Sequence, residues 1–250
     1  MDKIDLWKKS ESLRKRLGED SQSPIDIFSL VHTIEYLTVV FFPMGDRISG
    51  MCVKGQSSNV IAINSAMSVG RQRFSMAHEL FHLFYGSIAT TICSGRIGFG
   101  QKIEEKDADQ FASYFLMPPV ALTNAIQRHQ KEEGGKLTVN SVVKLEQYFR
   151  VSRRAILIRL IEEKELTEHE AEPMREKVIR SAIRLGYDDT LYKPLSPEKQ
   201  SMTYGYYIQQ ANKVFEKNLV SNGKYEELLL DAFRSDLVYG DSSEGGELVD

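Results

Sequence analysis

Two histidines four residues apart bracket a glutamate in His78-Glu79-Leu80-Phe81-His82. On a helix, residues at i and i+4 share one face roughly 6 Å apart at Cβ, so both imidazoles can reach one zinc ion at about 2.0 to 2.1 Å. Glu79 projects beside that face, where it ligates the same ion poorly but can take a proton from water acidified by the metal. The chemistry implied is peptide hydrolysis, with Glu79 as general base and as carrier of the proton to the leaving amine. With 5 His in 250 residues, the bare pattern arises by chance in about one chain in a hundred, so its surroundings must decide. Arg71 to Tyr85 is otherwise apolar nearly all round and stops at Gly86, the pattern of a buried helix. A pair of core histidines satisfied by hydrogen bonds is the bland alternative. Against it, three neighbouring ionisable groups on such a helix carry a large desolvation cost that a metal would offset.

A catalytic zinc wants three protein ligands and one open position, so a third donor must come from another segment. Ile103-Glu104-Glu105-Lys106-Asp107-Ala108-Asp109-Gln110-Phe111-Ala112 brings carboxylates to a helix whose apolar face is centred on Ala108, Phe111, Ala112 and Phe115. One turn back from Ala108 lie both Glu104 and Glu105, while Asp107 points about 100° away, so periodicity leaves the two glutamates tied. Asp109 stands at i+4 from Glu105. There a second carboxylate can accept the outer N–H of a zinc-bound histidine and fix its tautomer, which favours Glu105. The competing reading of this segment is an acidic helix start favoured by the helix dipole.

The remaining elements must hold these two helices together. Ile4 to Leu17 reads as a polar, peripheral surface helix, and the stretch after Ser23-Pro24, from Ile25 to Ile34, as a second, buried helix. Thr38 to Phe42, Gly50 to Val53 and Asn59 to Ile63 have the β-branched and aromatic content of a small antiparallel sheet, with no strand expected after Gly70. Gly95, Gly98 and Gly100 mark a flexible flap rather than a nucleotide fingerprint. Ile103 to Met117 is helical, and Pro118-Pro119 ends it. Val139 to Phe149 and Ser152 to Ile161, with Ser152 as N-cap, have a helix-turn-helix outline. Further helices are expected at Tyr204 to Asn218 and Gly223 to Phe233, and the acidic tail 241–250 reads as disordered.

Composition excludes several function classes. The net charge of -3, from 32 Lys plus Arg against 35 Asp plus Glu, gives no global basic field for non-specific nucleic-acid binding. Apolar runs such as Leu37 to Phe42 fall far short of the roughly 20 residues a membrane helix needs. The N-terminus lacks the apolar core of a secretory signal, and Cys52 and Cys93 sit in no paired metal motif, so a cytoplasmic protein with two free thiols is expected. Arg150, Arg153, Arg154 and Arg159 could meet DNA phosphate, but Glu146, Glu162 and Glu163 nearby favour a solvated face on a packed helix pair. His32, His129 and His169 are scattered and receive no role.

Two blocks resemble a known family: Arg71-Gln72-Arg73-Phe74-Ser75-Met76-Ala77-His78-Glu79-Leu80-Phe81-His82, and Glu105-Lys106-Asp107-Ala108-Asp109-Gln110-Phe111-Ala112 continuing to Pro118. Both are similar to the ImmA/IrrE zinc metallopeptidases. Phe149-Arg150-Val151-Ser152 with Arg159-Leu160 extends the likeness, which covers about residues 24–163, and Lys224 to Asp231 looks like the C-terminal region of phage or mobile-element members. The resemblance implies His78, His82 and Glu105 as ligands of one Zn2+ per chain and Glu79 as the base. It also implies cleavage of a helix-turn-helix transcriptional repressor, relieving repression. Many members have glycine where this chain has Phe81, a bulk expected to alter packing near the cleft. The fold expected is α+β, a zincin-like metallopeptidase domain with a small antiparallel sheet at 1–130. A helix-turn-helix-like region at 131–190 and a C-terminal helical region at 191–250 would follow. The cleft should lie between the sheet and the His78 helix, with the edge of Asn59 to Ile63 receiving an extended peptide. The alternative from another class is a non-cleaving regulatory module that sequesters a repressor or contacts DNA.

Overall fold

A computed structural model of the chain describes residues 1–94 and 103–240; the flap glycines and the acidic tail lie outside them. The chain opens with α1 (Lys3–Arg16) and the single-turn α2 (Ile27–Val31), then β1 (Leu37–Phe42), β2 (Ile48–Lys54) and β3 (Asn59–Asn64). The long α3 (Val69–Tyr85), β4 (Thr90–Ser94), α4 (Ile103–Leu116), α5 (Pro119–Glu132), α6 (Val139–Phe149) and α7 (Arg153–Glu162) follow. The rest comprises α8 (Glu168–Ala171), α9 (Val178–Arg184), β5 (Met202–Gly205), α10 (Tyr206–Glu216), α11 (Asn222–Asp231) and α12 (Ser235–Tyr239). Pro119 does not merely end a helix: it is the first residue of α5, where its missing N–H costs nothing.

The sheet has five strands in the order β4-β2-β3-β1-β5 and is mixed rather than antiparallel throughout. β1 and β3 run parallel, Leu37 opposite Asn59, while β2 pairs antiparallel with both β3 and β4. β3 is therefore interior, and the expected peptide-receiving edge at Asn59 to Ile63 does not exist. The reason lies in its composition: Ile61, Ala62, Ile63 and Asn64 are all buried, and a strand covered on both faces carries a continuous apolar run instead of an alternating one. The edge on the side of α3's histidines is β4, one of two strands that arise after Gly70 against expectation. β5 covers the opposite edge, pairing with β1 through Phe41 and Met202. Gly205 ends β5 with φ +83°, and a Cβ there would stand 2.4 Å from the Leu37 carbonyl oxygen, so only glycine allows this approach.

α3 packs against β2 and β3 and also against α4, and α4 packs in turn against α1. α1 is not peripheral. Leu6 and Leu13 are buried in the same core as Phe111 and Phe115, and the buried Arg14 donates to the carbonyls of Phe115, Asp20 and Ser23. A guanidinium loses water at a high cost, and three backbone acceptors offset it while fastening α1 to the end of α4. The turn between α6 and α7 has Arg150 in the left-handed region, and Ser152 caps α7 by accepting from the Ala155 N–H at 3.3 Å. Arg153 forks onto the buried carboxylate of Glu146 at 2.6 and 2.8 Å, and Arg159 is fully buried beside Ser113. The helix pair is packed as expected, but two of the four clustered arginines, and Glu146 with them, are buried inside it rather than on a solvated face.

Candidate metal centre

α3 is 17 residues long and its middle turns are wholly enclosed: His78 is 5%, Glu79 0% and His82 1% exposed. One helical turn separates the two imidazoles, and their Nε2 atoms stand 3.1 Å apart. α4 delivers Glu105 from its first turn, with Oε2 3.4 Å from Nε2 of His78 and Oε1 3.3 Å from Nε2 of His82. Asp109, one turn further along α4, bonds Nδ1 of His78 at 2.8 Å and so holds that ring with Nε2 facing Glu105. Glu104 goes elsewhere. Its carboxylate accepts from the Ser87 N–H at 3.1 Å, tying α4 to the end of α3, and stands 4.0 Å from Nδ1 of His82, too far for a hydrogen bond. Geometry therefore separates the two glutamates that periodicity left tied.

A further donor arrives from β4. One ligand atom each from His78, His82, Cys93 and Glu105 lie within 4.8 Å of one another. Cys93 is 1% exposed and, like Cys52, a free thiol. Sequence spacing gave no sign of it, because its partners are two histidines and a glutamate on other elements rather than a second cysteine. His32 instead lies against Tyr204, outside this cluster.

Gly50 was also missed. It sits directly opposite Cys93 in the β2–β4 pairing, and a Cβ on it would stand 2.8 Å from Oε1 of Glu79 and 3.0 Å from the carbonyl oxygen of Ala62. The glycine makes the room that the Glu79 carboxylate occupies under the sheet. Phe81 is fully buried and packs against His82 as well as Phe111 and Tyr85, at 5.7, 5.5 and 6.0 Å between ring centroids.

The charges in this pocket are far from their solution behaviour. Burial opposes charge on His78, yet hydrogen bonds to Asp109, Cys93 and Glu105 outweigh it and raise its pKa well above the usual imidazole value. Hydrogen bonds from His78 and His82 hold Glu105 well below the ordinary carboxylate range. Burial raises the Glu79 carboxyl, against the pull of His78, and pushes the Cys93 thiol up to about 12. Among the described residues, both oxygens of Glu79 and Nδ1 of His82 are buried without a hydrogen-bond partner. Buried polar atoms of that kind are costly, and three carboxylates around two imidazoles leave surplus negative charge that a divalent cation would balance.

The donor set fits such an ion. Four ligands placed tetrahedrally at about 2.0 to 2.1 Å from zinc stand about 3.3 to 3.4 Å from one another. The three separations among His78, His82 and Glu105 are 3.1, 3.3 and 3.4 Å. Nitrogen and carboxylate donors in this mixture suit zinc and its first-row neighbours.

Comparison with known proteins places the chain among metallopeptidases. The radiation response metalloprotease IrrE of Deinococcus deserti is 40% identical over 57 residues, which is 23% of this chain and 19% of that protein. The match thus spans about a fifth of the relative's length. The family described as the IrrE N-terminal-like domain matches residues 36–161, a stretch that contains α3, β4, α4 and every residue of the cluster. That stretch is just over half of the chain, and the chain belongs to the IrrE N-terminal-like peptidase family.

Proposed function

We propose that the protein is a zinc-dependent endopeptidase that cuts a peptide bond in a helix-turn-helix transcriptional repressor and so relieves repression. The observation that carries this reading is the pairing of two features on one helix. His78 and His82 stand with Glu105 at the spacing of tetrahedral ligands, and next to them lies Glu79, a fully buried carboxylate with no hydrogen-bond partner among the described residues. His78, His82 and Glu105 would hold the metal, and Asp109 would fix the His78 ring. The chemistry a bound zinc supplies is Lewis acidity, which acidifies water and polarises a carbonyl. Glu79 takes the proton from the attacking water and hands it to the leaving amine.

Among the described residues β4 pairs on one side alone, with β2, so an extended peptide can add to its other edge by main-chain hydrogen bonds beside the cluster. No helix among the described residues is long and apolar enough to cross a membrane, which agrees with a repressor substrate in the cytoplasm. Co-expression with a helix-turn-helix repressor tests the reading: the wild type yields repressor fragments and the Glu79→Gln variant yields none.

Gly50 gives a second, more local prediction. In Gly50→Ala the new methyl group meets Glu79 at 2.8 Å and the rigid Ala62 carbonyl at 3.0 Å, so the glutamate must move. Displacing a catalytic group by about an ångström costs on the order of 10²-fold in rate. The atoms nearest this methyl belong to Glu79 and Ala62 and not to His78, His82 or Glu105, so metal content should stay near the wild-type level while cleavage falls. Unchanged cleavage in Gly50→Ala would show that the position of Glu79 under β2 is not used.

A further inference from the structure

The proposed reaction uses three donors and gives Cys93, which sits beside them, no ligand role. Its position is specific. β4 places Cys93 opposite Gly50, the one residue of β2 that lets Glu79 approach the sheet, so thiol and carboxylate share the same enclosed space above α3. The other cysteine, Cys52, lies on the same pair of strands opposite Thr91 and is equally buried, yet it takes no part in the donor cluster. A zinc–sulfur bond of about 2.3 Å puts a tetrahedral sulfur about 3.6 Å from nitrogen or oxygen ligands of the same ion. Cys93 Sγ is within 4.8 Å of all three of them. A side-chain shift of about an ångström or less therefore brings it into the coordination sphere.

We propose that Cys93 is the fourth ligand of the metal in the resting protein, so that the centre is closed by its own edge strand. This rests on the reading that His78, His82 and Glu105 hold zinc. Structural zinc sites fill four positions from the protein, whereas catalytic sites keep one open for water and substrate. A site with Cys93 attached is of the first kind and cannot bind a scissile carbonyl. It becomes the second kind when the thiol leaves. Cys93 belongs to the strand whose free edge is available to an extended peptide, so pairing of substrate with β4 and release of the sulfur act on the same five residues, Thr90–Ser94. The resting centre is then closed until a peptide pairing with β4 displaces the sulfur, so the wild type cleaves its substrate but more slowly than a chain without the thiol.

Cobalt(II) reports this directly, because a tetrahedral cobalt site shows visible d–d absorption, and a coordinated sulfur adds an intense charge-transfer band in the near ultraviolet. The full chain, stripped of metal and titrated with cobalt chloride under reducing conditions, should show both. Cys93→Ser should lose the charge-transfer band and keep the d–d absorption, and Cys52→Ser should keep both. The chain has 2 cysteines, so a band that survives in Cys52→Ser identifies Cys93 even if Cys93→Ser fails to fold. In addition, Cys93→Ala should cleave faster than wild type if the thiol holds the site shut. Visible d–d absorption without a charge-transfer band in the wild type would overturn the proposal while leaving the three-ligand centre intact. A band lost in Cys52→Ser would overturn it too, and the absence of any d–d absorption would overturn the metal centre with it.

Discussion

Glu79→Gln should abolish cleavage while leaving metal content and partner binding at the wild-type level. The glutamine keeps the size of the side chain and enters a space already shaped for it beneath Gly50, but it cannot accept a proton. General-base catalysis contributes about 10²- to 10⁴-fold, so cleavage should fall by at least about two orders of magnitude. Stability should not suffer, because the wild-type carboxylate is fully buried with no hydrogen-bond partner among the described residues and a neutral amide costs less to desolvate. The melting temperature is expected to stay the same or rise. The same variant separates a peptidase from a module that only sequesters its partner, since sequestration needs affinity alone. The paired measurement is repressor size on a gel and expression from the repressed promoter, for wild type and variant. If Glu79→Gln derepresses as well as the wild type and neither produces a fragment, the protein acts by binding.

Glu105→Ala should weaken metal binding strongly, by more than Asp109→Ala does, whereas Glu104→Ala should leave it at the wild-type level. Both oxygens of Glu105 face the Nε2 atoms of the two histidines, at 3.3 and 3.4 Å, so its loss removes one corner of the donor triangle. Glu104 spends its carboxylate on Ser87, and its removal loosens the contact between α4 and the end of α3 without touching a donor. Asp109→Ala should fall between them, weakening metal binding by about 10- to 100-fold through the freed His78 ring. Competition titration of metal against a chromophoric chelator measures all three. Release in Glu104→Ala with retention in Glu105→Ala would put the ligand one residue earlier than the geometry has it.

The parts of the site that lie on helices were legible in the sequence, because a 3.6-residue period fixes which side chains share a face. His78 and His82 follow from spacing alone, and Asp109 pointed to Glu105 through the same arithmetic before the structure placed both beside His78. What comes from the sheet was not legible. β4 is five residues long, lies in a stretch read as a loop, and gains its hydrogen bonds from β2, about forty residues earlier. Nothing local in Thr90 to Cys93 announces that partner, and so neither Cys93 nor the role of Gly50 could be reached. The misplaced edge at β3 had a readable cause: Val60-Ile61-Ala62-Ile63 is an uninterrupted apolar run, the mark of a strand covered on both faces. α1 misled for a different reason. Its exposed Lys and Arg dominate the composition, while Leu6, Leu13 and the buried stem and head of Arg14 bind it to the core.

The most direct test of the metal centre is elemental analysis of the protein purified without chelators, alongside His78→Ala/His82→Ala. The two imidazoles come from one rigid helix and set the positions that Glu105 completes, and the donors left without them, Glu105 and Cys93, are too few to hold the ion. The wild type should carry about one zinc per chain and the double variant none, with the fold of both checked by circular dichroism. Equal metal in a folded double variant would contradict a centre built on His78 and His82.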